Sequence, residues 1–191
     1  MLKKKILEEG RVIGTDVVKV DSFLNHQIDP FLLQKIGARF AEIFAEEEVT
    51  KIVTIESSGI APAVFTGLAL GVPVIFAKKT ESRNLDDQTY RASIRSFTRG
   101  KDYQIRINRR LLEPHDRVLC IDDFLAKGEA LLGLRSIIAQ AKARMVGAGI
   151  VIEKGFQDGG KRLRNEGIRV ESLVIIERMK EEDGSIFFCE K

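Results

Sequence analysis

The chain has 191 residues, 44% of them hydrophobic and 31% charged, with a formal net charge of +3. That balance belongs to an ordinary folded domain and excludes a disordered, collagen-like or membrane-embedded chain. One domain over residues 1–191 is expected from the length. No apolar run approaches the ~20 residues that span a bilayer, and the basic start Lys3-Lys4-Lys5 turns acidic at Glu8-Glu9, where a secretion signal would need its apolar stretch. The expected location is cytoplasmic, with no membrane partner.

From Pro30, the residues Leu32, Leu33, Ile36, Phe40, Ile43 and Phe44 recur at helical spacing, and Asp29 supplies the start. Lys51–Glu56 is short and β-branched. Ser57-Ser58-Gly59 follows, then a helix over Ile60–Leu70 that carries Pro62 in its first turn, where proline is tolerated. Gly71-Val72-Pro73 turns the chain into a strand at Val74–Ala77. Buried strands are predicted at Arg117–Ile121 and Met145–Ile152, with a helix over Leu131–Ala141 between them. Val170–Arg178 and Ser185–Phe188 flank Asp183-Gly184, a hairpin turn pair. This alternation predicts an α/β fold with a mostly parallel central sheet flanked by helices.

Between Ala77 and Arg117 the pattern breaks for a stretch too long for a passive connection, and short strands are expected at Ile94–Thr98 and Gln104–Asn108. Residues 79–110 hold nine Lys or Arg against four acids, a net +5 that leaves −2 on the rest of the chain. One basic segment on a slightly acidic body suits capture of a small polyanion rather than nucleic acid. A flexible flap is expected there.

Two cysteines, Cys120 and Cys189, are too few for a disulfide framework, and no zinc-ligand spacing occurs. His26 and His115 are the only histidines, which excludes a histidine-rich metal centre and leaves little for a histidine triad. The densest chemical signal is Val118–Ala130: an apolar strand, the adjacent acids Asp122 and Asp123, a short loop with Gly128, then a helix. Backbone N–H groups of a loop that opens a helix can cradle a phosphate monoester. Adjacent carboxylates can accept hydrogen bonds from ribose hydroxyls and favour positive charge at an anomeric carbon. Two other stretches compete. Gly155–Lys161 fits the first seven positions of a nucleotide phosphate loop, but Arg162 stands where a magnesium-binding Ser or Thr is needed. Ser57-Ser58-Gly59 lacks the frame of a nucleophilic serine.

The Val118–Ala130 segment resembles the ribose-phosphate motif of the type I phosphoribosyltransferases. Lys19–Pro30, Lys51–Ala63 and Gly149–Lys154 resemble the bacterial xanthine phosphoribosyltransferases, and the similarity covers essentially the whole chain. The resemblance implies a type I phosphoribosyltransferase fold with a flap and a small hood from the chain termini. It implies a homodimer that uses Mg2+ to convert xanthine and 5-phosphoribosyl 1-pyrophosphate to xanthosine 5′-monophosphate and pyrophosphate, the metal being held mainly through substrate. It places Asp122 and Asp123 at the ribose, and Ala126, Lys127, Gly128, Glu129 and Ala130 around the 5′-phosphate. Ser57, Ser58 and Gly59, with Lys78 and Lys79, fall at pyrophosphate, and Val18, Asn25 and Lys154 at the base. Lys127 and Ala130 depart from the hydroxyl residues usual in that loop, and the xanthine branch usually has asparagine at the Lys127 position. The alternatives are a guanine- or hypoxanthine-preferring enzyme, or a regulator that senses phosphoribosyl pyrophosphate or purines without catalysis.

Overall fold

The computed structural model describes residues 1–80, 88–96 and 101–190. Part of the expected flap, including Arg83 and Arg99, lies outside the described residues. The chain runs through α1 (Leu2–Glu9), β1 (Arg11–Ile13), β2 (Val17–Lys19), a π-helical turn at Asp21–Asn25 and α2 (Pro30–Ile43). It continues through β3 (Lys51–Ile55), α3 (Ile60–Leu70), β4 (Val74–Thr80), β5 (Thr89–Ser96), β6 (Lys101–Asn108), β7 (Arg117–Leu125) and α4 (Glu129–Gln140). The last elements are β8 (Arg144–Lys154), α5 (Gly159–Asn165), β9 (Val170–Met179) and β10 (Ile186–Phe188). α2 starts as predicted: the Asp29 carboxylate accepts from the N–H groups of Phe31 and Leu32, each at 3.1 Å, and Pro30 takes the position that needs no donor.

Eight strands form one sheet in the order β10-β9-β8-β7-β3-β4-β6-β5. The ladders from β9 through β4 are parallel, and β10, β6 and β5 join antiparallel. β8 is buried almost without interruption from Val146 to Glu153, as a parallel strand covered on both faces requires. On one face Leu33, Ile36 and Phe40 of α2 pack over Ile52, Leu119, Ile121 and Ile152. On the other, Leu134, Ile137 and Ile138 of α4 pack over Val53, Cys120, Ile150 and Ile105. The expected flap, where described, is the regular hairpin β5–β6, which extends the sheet by pairing with β4. Among the described residues no helix is long and apolar enough to cross a membrane.

The two termini meet above the C-terminal ends of β8 and β9. Lys3 Nζ lies 3.3 Å from the Cys189 carbonyl and 5.5 Å from the Phe188 ring centroid. With the β1–β2 hairpin they form the hood. Strand boundaries differ from expectation. β5 and β6 begin earlier, at Thr89 and Lys101, because they pair with each other along their full described length, and residues 97 and 98 of the expected strand lie outside the described residues. β7 does not stop at Ile121 but runs through the acid pair to Leu125, because β8 pairs with it as far as Leu125↔Glu153.

At the opposite end of the sheet, Asp116 is 2% exposed. It accepts from Lys51 Nζ at 2.9 Å, Thr50 Oγ1 at 3.0 Å and the Glu113 N–H at 2.7 Å. Burial alone would raise its carboxyl, but these donors hold it below the usual carboxylate range. The contribution of the charged form is therefore complete above the unfolded value near pH ~4 and is lost as pH falls through the lower folded value. Asp116→Ala is expected to cost about 3 kcal/mol at pH 7, with a smaller deficit at pH 3, in urea unfolding followed by circular dichroism.

Candidate active site

The chain leaves β3 towards β4 on one side and returns through β7, β8 and β9 on the other, so β3 and β7 are neighbours at a topological switch point. The loops after their C-terminal ends, Ser57–Gly59 and Ala126–Gly128, open on the crevice where α/β sheets bind ligands. The first loop comes down on the acid pair. A Cβ on Gly59 would lie 2.8 Å from Asp122 Oδ1 and 2.3 Å from Thr54 Oγ1, so only glycine permits the approach. The Glu56–Ser57 peptide bond is cis, and the Ser57 carbonyl accepts from the Ile60 N–H at 3.1 Å as α3 begins.

Asp122 and Asp123 are both half-buried. Burial, and then the negative charge of Asp123, push the Asp122 carboxyl well above the usual carboxylate range. Burial likewise raises Asp123, and Lys79 opposes the shift in both. Asp122 Oδ1 also accepts from the Asp123 N–H at 3.0 Å. Strand alternation separates the two lysines of β4. Lys79 shares a parity with Ile75 and Ala77 of the α4-side core, whereas Lys78 shares one with Phe76 and has its ammonium 6.0 Å from that ring. The backbone at Lys79 is fixed by its N–H donating to Glu56 Oε1 at 2.6 Å.

In the second loop Gly128 adopts φ +85°, a left-handed conformation that favours glycine, and α4 begins at Glu129 with no side chain capping its first N–H groups. These donors face out of the helix as an anion cradle does. Lys127 is exposed, and its Nζ lies 3.3 Å from Asp158 Oδ1, just ahead of α5. Three further contacts bind this loop to α5. The Gly159 N–H donates to the Ala126 carbonyl at 3.2 Å, Glu129 pairs with Arg162 at 2.7 Å, and Leu163 packs under Gly128. The Gly155–Lys161 stretch is thus a buttress for the Ala126–Gly128 loop. Its paired glycines are explained by closeness: a Cβ on Gly159 would meet the Ala126 carbonyl oxygen at 2.2 Å, and one on Gly160 would meet Glu153 Oε1 at 1.9 Å.

Val18, on β2 of the hood, is buried, and the amide oxygen of Asn25, at the end of the following π-helical turn, is buried with no hydrogen-bond partner. Turning the amide about χ2 exchanges its oxygen and nitrogen at that point, so Asn25 can offer either group. Lys154 Nζ donates to the Asp16 carbonyl in the β1–β2 turn at 2.6 Å and lies 5.8 Å from the ring centroid of Phe124, next to the acid pair in sequence. Burial lowers its ammonium pKa. The structure thus brings the loop residues to the acid pair and ties Lys154 to the hood. Glu56 and Tyr103 also belong to the region and carry no local motif, whereas Asp158 and Gly159 enter it from the Gly155–Lys161 stretch, whose sequence suggests a different site. Among the described residues, no three His, Cys, Asp or Glu side chains gather as a metal cage. A lone pair of carboxylates suits Mg2+ whose remaining ligands are phosphates and water.

In three dimensions the chain is similar to adenine phosphoribosyltransferases. The enzyme from Thermoanaerobacter pseudethanolicus superposes with a TM-score of 0.74 at 18% identity, over 92% of this chain and 99% of that one. The Trypanosoma brucei enzyme, solved with AMP, pyrophosphate and ribose-5-phosphate, superposes with a TM-score of 0.75 at 17% identity, over 91% of this chain and 79% of that one. No family profile matches the chain. The architecture is that of the type I phosphoribosyltransferases. By sequence the chain is 56% identical over 191 residues to a xanthine phosphoribosyltransferase of Bacillus cereus, spanning 100% of this chain and 96% of that one. It is 56% identical over 190 residues to that of Bacillus cytotoxicus, spanning 100% and 95%. The chain belongs to the xanthine phosphoribosyltransferase family.

Because the three atoms nearest a Cβ at position 159 are all backbone atoms of Ala126–Gly128, Gly159→Ala has to displace that loop. It is expected to destabilise the protein by about 1–3 kcal/mol, measured as a lower urea midpoint with an unchanged slope.

Proposed function

We propose that the protein transfers the phosphoribosyl group of 5-phosphoribosyl 1-pyrophosphate to xanthine, giving xanthosine 5′-monophosphate and pyrophosphate. The observation that carries this reading is the half-buried pair Asp122–Asp123, set directly beneath the Ser57–Gly59 loop at the switch point. Loss of pyrophosphate from the anomeric carbon leaves positive charge on the ribose, and a carboxylate pair already crowded with negative charge is stabilised as that charge develops. Asp122 and Asp123 hold the ribose hydroxyls. The N–H groups of Ala126–Ala130 bind the 5′-phosphate, with Lys127 adding positive charge at the rim. Ser57, Ser58 and Gly59 receive the pyrophosphate, and Lys79, on the acid-pair side of β4, neutralises it as it leaves. Lys78 contributes from the opposite face of that strand. Mg2+, when bound with the substrate, supplies further charge neutralisation on pyrophosphate. The hood and the β5–β6 hairpin flank the crevice and limit access of water to the ribosyl cation.

The base lies between Val18, Asn25 and Lys154. Xanthine differs from guanine at C2, where an acceptor oxygen replaces a donor amine, and hypoxanthine has only hydrogen there. An Asn25 NH2 facing that oxygen is satisfied by xanthine, meets a second donor in guanine and stays unpaired with hypoxanthine. Lys154 donates to the 6-oxo oxygen that all three share. A homodimer is supported by the apolar surface of Val64 and Leu68, one turn apart on α3, and of Phe76 on β4, which are 49%, 74% and 40% exposed. Action in the cytoplasm accords with the unpaired Cys120 and Cys189.

The deciding experiment incubates the protein with phosphoribosyl pyrophosphate, Mg2+ and each of xanthine, guanine, hypoxanthine and adenine, and identifies the nucleotides formed. Xanthosine monophosphate is expected as the preferred product. Binding of phosphoribosyl pyrophosphate without any nucleotide would make the protein a sensor. Asp122→Asn combined with Asp123→Asn is expected to lower kcat far more than it raises either KM; near-normal turnover would remove the pair from the mechanism.

For base choice, kcat/KM is compared across the three 6-oxopurines. Asn25→Ala should narrow the preference for xanthine over hypoxanthine by roughly ten- to hundredfold, since one unpaired buried donor costs about 1–3 kcal/mol. Lys154→Ala should lower all three together. An unchanged ranking in Asn25→Ala would move base choice to another group.

A further inference from the structure

The β4–β6 ladder sets Lys79 opposite Ile105, so Tyr103, two residues along β6, is its diagonal neighbour on the same face of the sheet. Lys79 Nζ lies 5.4 Å from the centroid of the Tyr103 ring, within the range of a cation–π contact. The same ammonium acts on both Asp122 and Asp123. The negative charge of Asp122 in turn reaches the Tyr103 phenol, which burial first and then that charge keep neutral. Lys79, Tyr103 and Asp122, from three strands, therefore share the α4 side of the sheet by alternation, and Asp123 is adjacent to Asp122 along β7. Lys78, of opposite parity, is outside this group.

A lysine at a strand end has a long stem with many rotamers, and ordering it costs entropy. A carboxylate partner would order the ammonium but also cancel its charge towards an incoming anion. An aromatic face orders it while leaving the full positive charge available. We propose that Tyr103 is a positioning residue for Lys79, its ring holding the ammonium on the acid-pair side of β4 where the leaving pyrophosphate is received. The inference rests on the reading of the site given above.

The test is a double-mutant cycle. Tyr103→Leu keeps apolar bulk but removes the π-face, and Tyr103→Phe keeps the ring. Each is made in the wild-type and Lys79→Met backgrounds, with KM for phosphoribosyl pyrophosphate and for xanthine measured separately. Tyr103→Leu is expected to raise the first constant about three- to tenfold and to leave the second within about twofold. Tyr103→Phe should restore most of the loss, and in the Lys79→Met background Tyr103→Leu should add nothing. An unchanged constant, an equal rise in both, or the same loss without Lys79 would overturn the proposal. Should Tyr103→Leu not fold, as judged by circular dichroism, Tyr103→Met takes its place. If the wild type makes no nucleotide from xanthine, the functional reading fails by itself. The cycle is then decided on calorimetric binding of phosphoribosyl pyrophosphate with Mg2+, where absence of coupling between Tyr103 and Lys79 overturns the proposal independently.

Discussion

Two adjacent carboxylates withdrawn from water at the end of a buried strand are an unfavourable arrangement, and the rest of the crevice is organised around it. Desolvation favours the protonated forms of both Asp122 and Asp123, and the negative charge of Asp123 adds to it at Asp122. The glycine loop seated on Asp122 tightens the enclosure, since position 59 has no room for a side chain. Relief comes from backbone N–H donors such as that of Asp123 and from positive charge, supplied at rest by Lys79 and, in the proposed reaction, by the ribose as its bond to pyrophosphate breaks. The strain of the resting site and the stabilisation of the reacting one are therefore the same electrostatic quantity seen at two moments.

How far the sequence discloses this depends on whether a feature is local. The α2 start at Asp29-Pro30 and the strand–acid–glycine–helix succession at Val118–Ala130 are written in consecutive residues, and both appear where expected. The extension of β7 through its acid pair is not, because it depends on pairing with β8. Nor could Lys78 and Lys79 be told apart before the faces of β4 were known. The three-residue strands β1 and β2 are too short for any periodicity and owe their place to contacts with distant segments, such as that between Asp16 and Lys154. The nucleotide-loop look of Gly155–Lys161 arose from glycines required for close packing, which leave the same mark in a sequence as glycines that cradle a ligand.

The proposed base site has its own structural anchor one residue from Lys154. Glu153 is 4% exposed and accepts from both terminal guanidinium nitrogens of Arg164, Nη1 and Nη2, at 2.8 and 2.7 Å, and from the Ser172 hydroxyl. Alternation along β8 then sends Lys154 to the opposite face, beneath the hood. A buried pair of this kind is weak evidence for stability, but its geometry is demanding. A slip of one residue would bury the lysine and expose the glutamate.

The buttress beneath the proposed phosphate loop has a thermodynamic corollary. Ala126–Glu129 is fastened to α5 by a backbone hydrogen bond, two ion pairs and the packing of Leu163 against Gly128. Its conformational freedom is therefore surrendered when the chain folds and not when a ligand arrives. A phosphate docking there meets donors already aligned, so capture of that end of the molecule carries little ordering entropy.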